Sequence, residues 1–213
     1  MNILPLFKNE RELISKSISP QLKEKNYNVR LGVRLRSKHQ KLRSEDALTN
    51  EELNVAHPLS PDIDLLYWNR DYTGEPILHA VEVKYFRLDK KGMVHPPLYD
   101  GIGEALLLCT YGVDYVHLWH FFDPEVSTDI YQKTKNAVEL IVDKIYTINY
   151  NCKMLYIQND ETVDDTSTRY LIKSLLEVLL DELKKSRLIA NKFRYDEDAE
   201  VIRKLIKRSY RLV

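Results

Sequence analysis

Charged side chains inside apolar strands need compensation, because each ion taken out of water costs several kcal/mol. Two segments of this chain break the apolar rule in the same way: "SPDIDLLYW" at residues 60–68 and "ILHAVEVKYF" at residues 77–86. Their Val, Ile, Leu and aromatic content reads as strand. "NRDYTGEP" between them supplies the Asp, Gly and Pro of a turn, so the pair is expected to form an antiparallel hairpin. Residues i and i+2 of a strand share a face, so Asp62 points with Asp64 and Glu82 with Lys84. If the hairpin folds about Thr73, Asp64 stands opposite Glu82 and Asp62 opposite Lys84, with all four on one face. Cross-strand partners have Cβ atoms about 4.5–5.5 Å apart, close enough for two carboxylates to share a divalent cation. Without an ammonium or a metal beside them, such carboxylates repel and one pKa rises. The alternative without a site is an exposed ion pair, Glu82 with Lys84, on an edge strand, which contributes little. Against it, "LLYW" and "HAV" have the apolar content of central strands.

The surrounding pattern is α/β. Residues 8–25 carry Leu13, Ile14, Ile18 and Leu22 at helical spacing, with Asn9 as cap and Pro20 as a break or restart. "NVRLGVRLR" alternates, and is expected to be a half-buried strand with Val29, Leu31, Val33 and Leu35 inward and Arg30, Arg34 and Arg36 outward. Residues 37–60 are polar and irregular, although "SEDALTNEELNVA" could form a helix. A helix over "LYDGIGEALLLCTYG" followed by a strand over "DYVHLWHFF" makes a parallel crossover. "STDIYQKTKNAVELIVDKI" reads as a capped amphipathic helix with Ile130, Ala137, Val138, Ile141, Val142 and Ile145 inward. "YTINY" and "KMLYIQ" are short strand candidates. From about Asp165 the chain reads as helical, with Leu171, Leu175, Val178, Leu179 and Leu183 in one stripe and Val201, Ile202, Leu205 and Ile206 in another.

Pro61, Asp62 or Asp64, and then Glu82-Val83-Lys84 resemble the PD-(D/E)XK nuclease superfamily, the fold of restriction endonucleases and archaeal Holliday-junction resolvases. "ERELI" (Glu10 to Ile14) resembles the resolvase-type opening helix, and the resemblance covers about residues 8–122. It implies an α-β-β-β-α-β core with a central mixed sheet flanked by helices. The domains expected are a nuclease-like domain over residues 1–160 and a helical extension over 161–213 packed on it. The implied activity is DNA phosphodiester hydrolysis, endonucleolytic by preference, with Mg²⁺ (or Mn²⁺) held by Asp64, Glu82, the Val83 carbonyl and Glu10. Asp64 is favoured over Asp62 as the ligand because it directly precedes the hydrophobic run. Lys84 would activate or position water and offset phosphorane charge. A Gln often stands where this chain has Glu104, and the Tyr expected four residues on is Leu108. The alternative class is a silent nuclease-fold module used to bind DNA or protein.

Composition narrows the partners. Lys+Arg and Asp+Glu are equal at 32 each, so affinity for a polyanion must come from local clustering. Arg30, Arg34, Arg36, Lys38, Lys41 and Arg43, with no acid among them, form such a cluster and are the candidate DNA contacts. The run "KRSYR" reads equally well as ordinary helix surface. Two cysteines without knuckle or CxxC spacing fit a reducing cytoplasm, and no segment reaches the roughly 20 apolar residues of a membrane span. A homodimer is the assembly the resolvase likeness implies. His117 and His120 are three apart in a strand and face opposite sides; His57, His79 and His95 read as packing or surface residues.

Overall fold

The computed structural model describes residues 5–55, 59–155 and 188–212. Its elements are α1 (Glu10–Leu13), a π-helical turn (Ile14–Ile18), α2 (Ser19–Glu24), β1 (Asn28–Val33), α3 (Leu35–Ser44), α4 (Asn50–Leu53), β2 (Ile63–Arg70) and β3 (Pro76–Leu88). Then follow β4 (Val94–His95), α5 (Ile102–Leu108), β5 (Tyr115–Phe122), α6 (Thr128–Ile145), β6 (Ile148–Met154) and α7 (Glu197–Tyr210). The class is α/β: a mixed six-stranded sheet runs β1-β2-β3-β5-β6, with β4 paired to β3. β1, β2 and β3 are antiparallel, whereas β3, β5 and β6 are parallel, as the helical crossovers α5 and α6 require.

The hairpin β2–β3 folds about Thr73, as the spacing predicts: Leu65 pairs Val81, Tyr67 pairs His79 and Arg70 pairs Pro76. Asp71 fixes the turn by accepting from the backbone N–H of Thr73 at 2.8 Å and of Glu75 at 3.0 Å, while Gly74 supplies φ +88°. Register then decides which residues face which layer. Leu65, Tyr67, Val81, Val83 and Tyr85 pack with Leu13, Ile18 and Leu22 under the first helix. Leu66, Trp68, Leu78 and Ala80 pack on the other face with α5, α6 and α7, through Leu108, Val138, Val142, Ile202 and Leu205.

Several sequence expectations are corrected. The first strand stops at Val33, and Leu35 through Ser44 is helical. Arg34 lies between the two elements, Arg36 on α3, and Leu31 is exposed. Helix α3 lacks an apolar stripe, its one fully buried residue being Leu35, so periodicity could not reveal it. On α6 the buried stripe is Thr134, Val138 and Val142, and Ile141 faces solvent. The two short strand candidates give one strand, β6, from Ile148 to Met154, rather than two. On α7, Val201, Ile202, Leu205 and Ile206 are buried as the pattern predicts. The stripe from Leu171 to Leu183 and His57 lie outside the described residues.

Two further anchors position the site. The segment before α1 is tied down: Asp123, wholly buried, accepts from Leu6 N–H at 2.9 Å and from the Tyr85 hydroxyl, and Phe7 N–H donates to that hydroxyl at 3.2 Å. Asn9 caps α1 by accepting from Glu12 N–H at 2.9 Å. At the far end, Arg203 of α7 donates to the carbonyls of Gly112 at 2.8 Å and Pro76 at 2.9 Å, docking the helix on the sheet.

Candidate functional site

Beyond Leu65 the ladder between β2 and β3 ends, and the strands part. Two backbone donors of β3 that face this gap are taken by carboxylates instead. Val83 N–H donates to Asp64 Oδ2 at 3.0 Å, and Tyr85 N–H to Glu10 Oε1 at 3.4 Å. In a strand the N–H and C=O of one residue point to the same edge, so the Val83 carbonyl opens into this gap as well. Glu10 reaches it from the first helix, on the sheet face opposite Glu82 and Lys84. Its inward direction follows from sharing a helical stripe with Leu13, while Glu12 turns outward to Lys16 at 2.5 Å.

Asp64, Glu82 and Lys84 stand on one face, and Glu82 is hydrogen-bonded to both Asp64 and Glu104. Lys84 Nζ lies 2.7 Å from Glu82 Oε1, 2.7 Å from Glu104 Oε2 and 3.7 Å from Asp100 Oδ2. Both β3 side chains are nearly enclosed, Lys84 at 10% and Glu82 at 3% exposure, so this is no edge-strand surface pair. Gly101, in the left-handed region at φ +87°, makes the enclosure possible. A Cβ there would stand 3.0 Å from both the Lys84 Cγ and the Leu118 Cδ1.

The electrostatics follow from this crowding. Burial, then the Asp64 charge and the Glu104 hydrogen bond, raise the Glu82 carboxyl to about 10 against the pull of Lys84. Burial also raises Asp64, opposed by the Val83 N–H and Lys84, and it raises Glu10, opposed by Lys84 and reinforced by Asp64. Burial pushes the Lys84 amine down, but Glu82 and Glu104 outweigh it and hold the ammonium charged. Glu104 is lowered in spite of desolvation, by its hydrogen bonds with Glu82 and Lys84. One ammonium therefore faces more negative charge than it offsets.

An open groove of about 850 Å³ runs past Glu10, Arg11, Gly32, Arg34, Asp62 and Asp64. Asp64 and Glu10 line it; Glu82 and Lys84 are not in its wall. Asp62 is a correction. It precedes β2, is half exposed and pairs with Arg34 at 3.4 Å instead of standing opposite Lys84. The six basic residues divide between β1 (Arg30), the junction (Arg34) and α3 (Arg36, Lys38, Lys41, Arg43).

Carboxylate oxygens and a strand carbonyl form the hard-oxygen donor set that Mg²⁺ takes, and a cation would offset the burial, and the lesser mutual repulsion, that raise three carboxyls. On that chemistry Asp64, Glu82, Val83 and Glu10 fit a divalent ion. Among the described residues, however, no three His, Cys, Asp or Glu side chains are already arranged as a cage. One oxygen each of Asp64 and Glu10 is turned to a backbone N–H, and Lys84 occupies the space between Glu82 and Glu104.

Reading the sequence alone gave Glu104 no role and missed Asp100; both flank Gly101 and brace Lys84. It also missed a second buried polar cluster. His79 Nδ1 lies 3.1 Å from His117 Nε2, which is 3.3 Å from the Tyr67 hydroxyl. These rings stack beneath the first helix, while His120 sits on the opposite face against Phe86 and Tyr150. Among the described residues no helix is long and apolar enough to cross a membrane.

No protein family, curated protein or solved structure matches this chain.

Proposed function

We propose that the protein is a Mg²⁺- or Mn²⁺-dependent nuclease of the PD-(D/E)XK kind that hydrolyses DNA phosphodiester bonds, endonucleolytically by preference, in a reducing cytoplasm. One observation supports this above the rest: the β2–β3 register brings Asp64 to Glu82 with Lys84 beside them, and Glu10 reaches the same gap from another element. Such separated acids, gathered where the ladder opens, cost stability, and a site repays that cost through function.

In this reading Asp64, Glu82, the Val83 carbonyl and Glu10 hold the cation. When bound, the ion supplies a Lewis acid for the scissile phosphate and lowers the pKa of a water. Hydrolysis forms one bond from the water oxygen to phosphorus and breaks one ester bond, with the departing oxygen taking a proton. Lys84 keeps a fixed positive charge beside the reacting phosphate, where charge builds up on its oxygens. Glu104 and Asp100 hold that ammonium in place. Arg34, at the groove, and Arg30, on β1, meet flanking phosphates. A homodimer offering two such grooves to a branched or symmetric duplex is the assembly this reading favours.

A second reading, a silent module that binds without cleaving, is favoured by the enclosure of Glu82 and Lys84 and by the carboxylates' backbone bonds. In it the acids merely close the parted strands. Incubation of branched, duplex and single-stranded DNA with Mg²⁺ or Mn²⁺ separates the two. The nuclease reading expects cleavage that falls about 10²–10³-fold in Lys84→Ala and is lost in Glu82→Ala. Absence of metal-dependent cleavage of any DNA or RNA by the wild type would leave the binding module.

A further inference from the structure

The two basic segments, Arg30–Arg43 and "KRSYR", are about 170 residues apart in sequence, yet the fold lays one against the other. Between α3 and α7 lies a pocket of about 260 Å³, walled by Lys38, Lys41, Arg208 and Ser209 with Leu42 and Ala47 as its apolar part. Ligand pockets for whole drug-sized molecules run about 300–1,000 Å³, so this one suits a single small group.

Its donors are organised for an anion. The Arg208 guanidinium is held by Glu52 at 2.7 Å, and Glu52 is itself buried and fixed by the capping box with Thr49. That carboxylate does not line the pocket. Lys38 Nζ sits 5.7 Å from the centre of the Tyr210 ring, which limits its swing. Ser209 Oγ is buried and has no hydrogen-bond partner among the described residues, although a helical serine commonly bonds back to the preceding turn. The acid in the wall, Glu45, is 3.8 Å from Lys41 in a solvent-exposed pair that is worth little. Two lysines, one of them loosely paired with Glu45, and an arginine already held by Glu52 therefore line the pocket, with an unpartnered hydroxyl beside them.

The rest of α7's positive charge is spent elsewhere: Lys204 pairs Glu51, and Lys207 pairs Glu75. The pocket is thus a discrete feature and not the average of a basic helix. It is also continuous with the groove. Arg34 lines the groove and immediately precedes α3, and its backbone N–H donates to the Tyr210 hydroxyl of α7. At 1.5 Å per helical residue, Lys38 and Lys41 lie about 6 and 10 Å beyond Arg34, roughly two to three nucleotides along a strand at about 3.4 Å each.

We infer that the α3–α7 pocket is a phosphate subsite that grips the nucleic-acid backbone two to three nucleotides beyond the phosphate that meets Arg34. The inference rests on the nuclease reading for the identity of the strand, but its test does not depend on turnover. Binding of a fluorescent duplex is measured against salt in EDTA and in Ca²⁺ for wild type, Lys38→Ala/Lys41→Ala, Ser209→Ala and, as a charge control, Lys133→Ala/Lys135→Ala on α6. Lys38→Ala/Lys41→Ala is expected to bind about tenfold more weakly, with the log–log salt slope reduced by about 0.9 for each phosphate no longer neutralised, Ser209→Ala to bind more weakly at an unchanged slope, and the control to be unchanged. Equal affinity and slope in wild type and pocket variants overturn the inference. So does a wild type that binds inorganic phosphate in the pocket while DNA affinity ignores the variants, since the ligand is then a free phosphate compound. A wild type that cleaves nothing but shows the expected weakening of binding in the variants sinks the catalytic reading and keeps the subsite.

Discussion

Lys84 is the residue on which the site's charge balance turns. Removing the enclosed ammonium leaves the acids around it, Glu104, Asp64 and Glu10, without their compensating charge, so Lys84→Met is expected to destabilise the protein by about 3–5 kcal/mol in urea unfolding. Glu104→Gln in that background should recover part of the loss, and a cycle with no coupling would mean that Lys84 and Glu104 do not compensate each other. Glu82 also sets a pH dependence. Its folded-state pKa is raised from 4.5 to about 10, so the native state binds more protons than the unfolded one between those values. Stability therefore falls as pH rises through that window, and Glu82→Gln should flatten the decline in melting temperature. The histidines act with the opposite sign. Burial lowers His79 from 6.5 to about 3, so its contribution is present above 6.5 and is lost as pH falls toward 3. His79→Phe, which keeps the stacking on Tyr67 and Tyr115, is expected to lessen acid sensitivity between pH 6.5 and 4.5.

At the scale of elements, glycines mark where helices meet the sheet. A Cβ on Gly112 would fall 2.0 Å from the Ala199 carbonyl of α7, whereas one on Gly74 would meet nothing within 4 Å, although both have positive φ. Gly74→Ala should cost only the left-handed penalty of about 1–2 kcal/mol, and Gly112→Ala clearly more, because α7 must shift. Urea midpoints of the two variants check the ranking. The same scale shows what the sequence could reveal. The hairpin register was legible because a turn with Asp71 and Gly74 fixes a symmetric pairing around Thr73, and the alternation of apolar residues fixes the face. The parallel register of β3 and β5 was not, since a crossover of helix and loop sets it; hence the His79–His117 contact went unseen. Helix α3 escaped because almost nothing on it is buried. Glu104 reaches Lys84 from an element whose placement depends on Gly101, and no local pattern announces that approach.

For the whole molecule, a cation that binds the folded state and not the unfolded one must raise stability. Mg²⁺ at 100 times its dissociation constant should add about 2.7 kcal/mol, read as a higher melting temperature. Glu82→Gln or Asp64→Asn should abolish the gain, and an equal gain in those variants would place the ion elsewhere. The sheet supports this arrangement with two differently built halves. The antiparallel half, β1 to β3, carries the acids on local connections, while the parallel half anchors β3 from behind through α5 and α6.

The tether ahead of α1 brings the two ends of this logic together. Leu6 and Phe7 are moored to Asp123 and Tyr85, at the end of β5 and inside β3, and only Lys8 and Asn9 separate Phe7 from Glu10. Whatever tugs on that mooring, such as a bulky fusion directly upstream of Leu6 or a clipped leading segment, draws one acid out of the gap while leaving every strand intact. Preparations that differ only in their first few residues would then unfold alike yet differ in cation affinity.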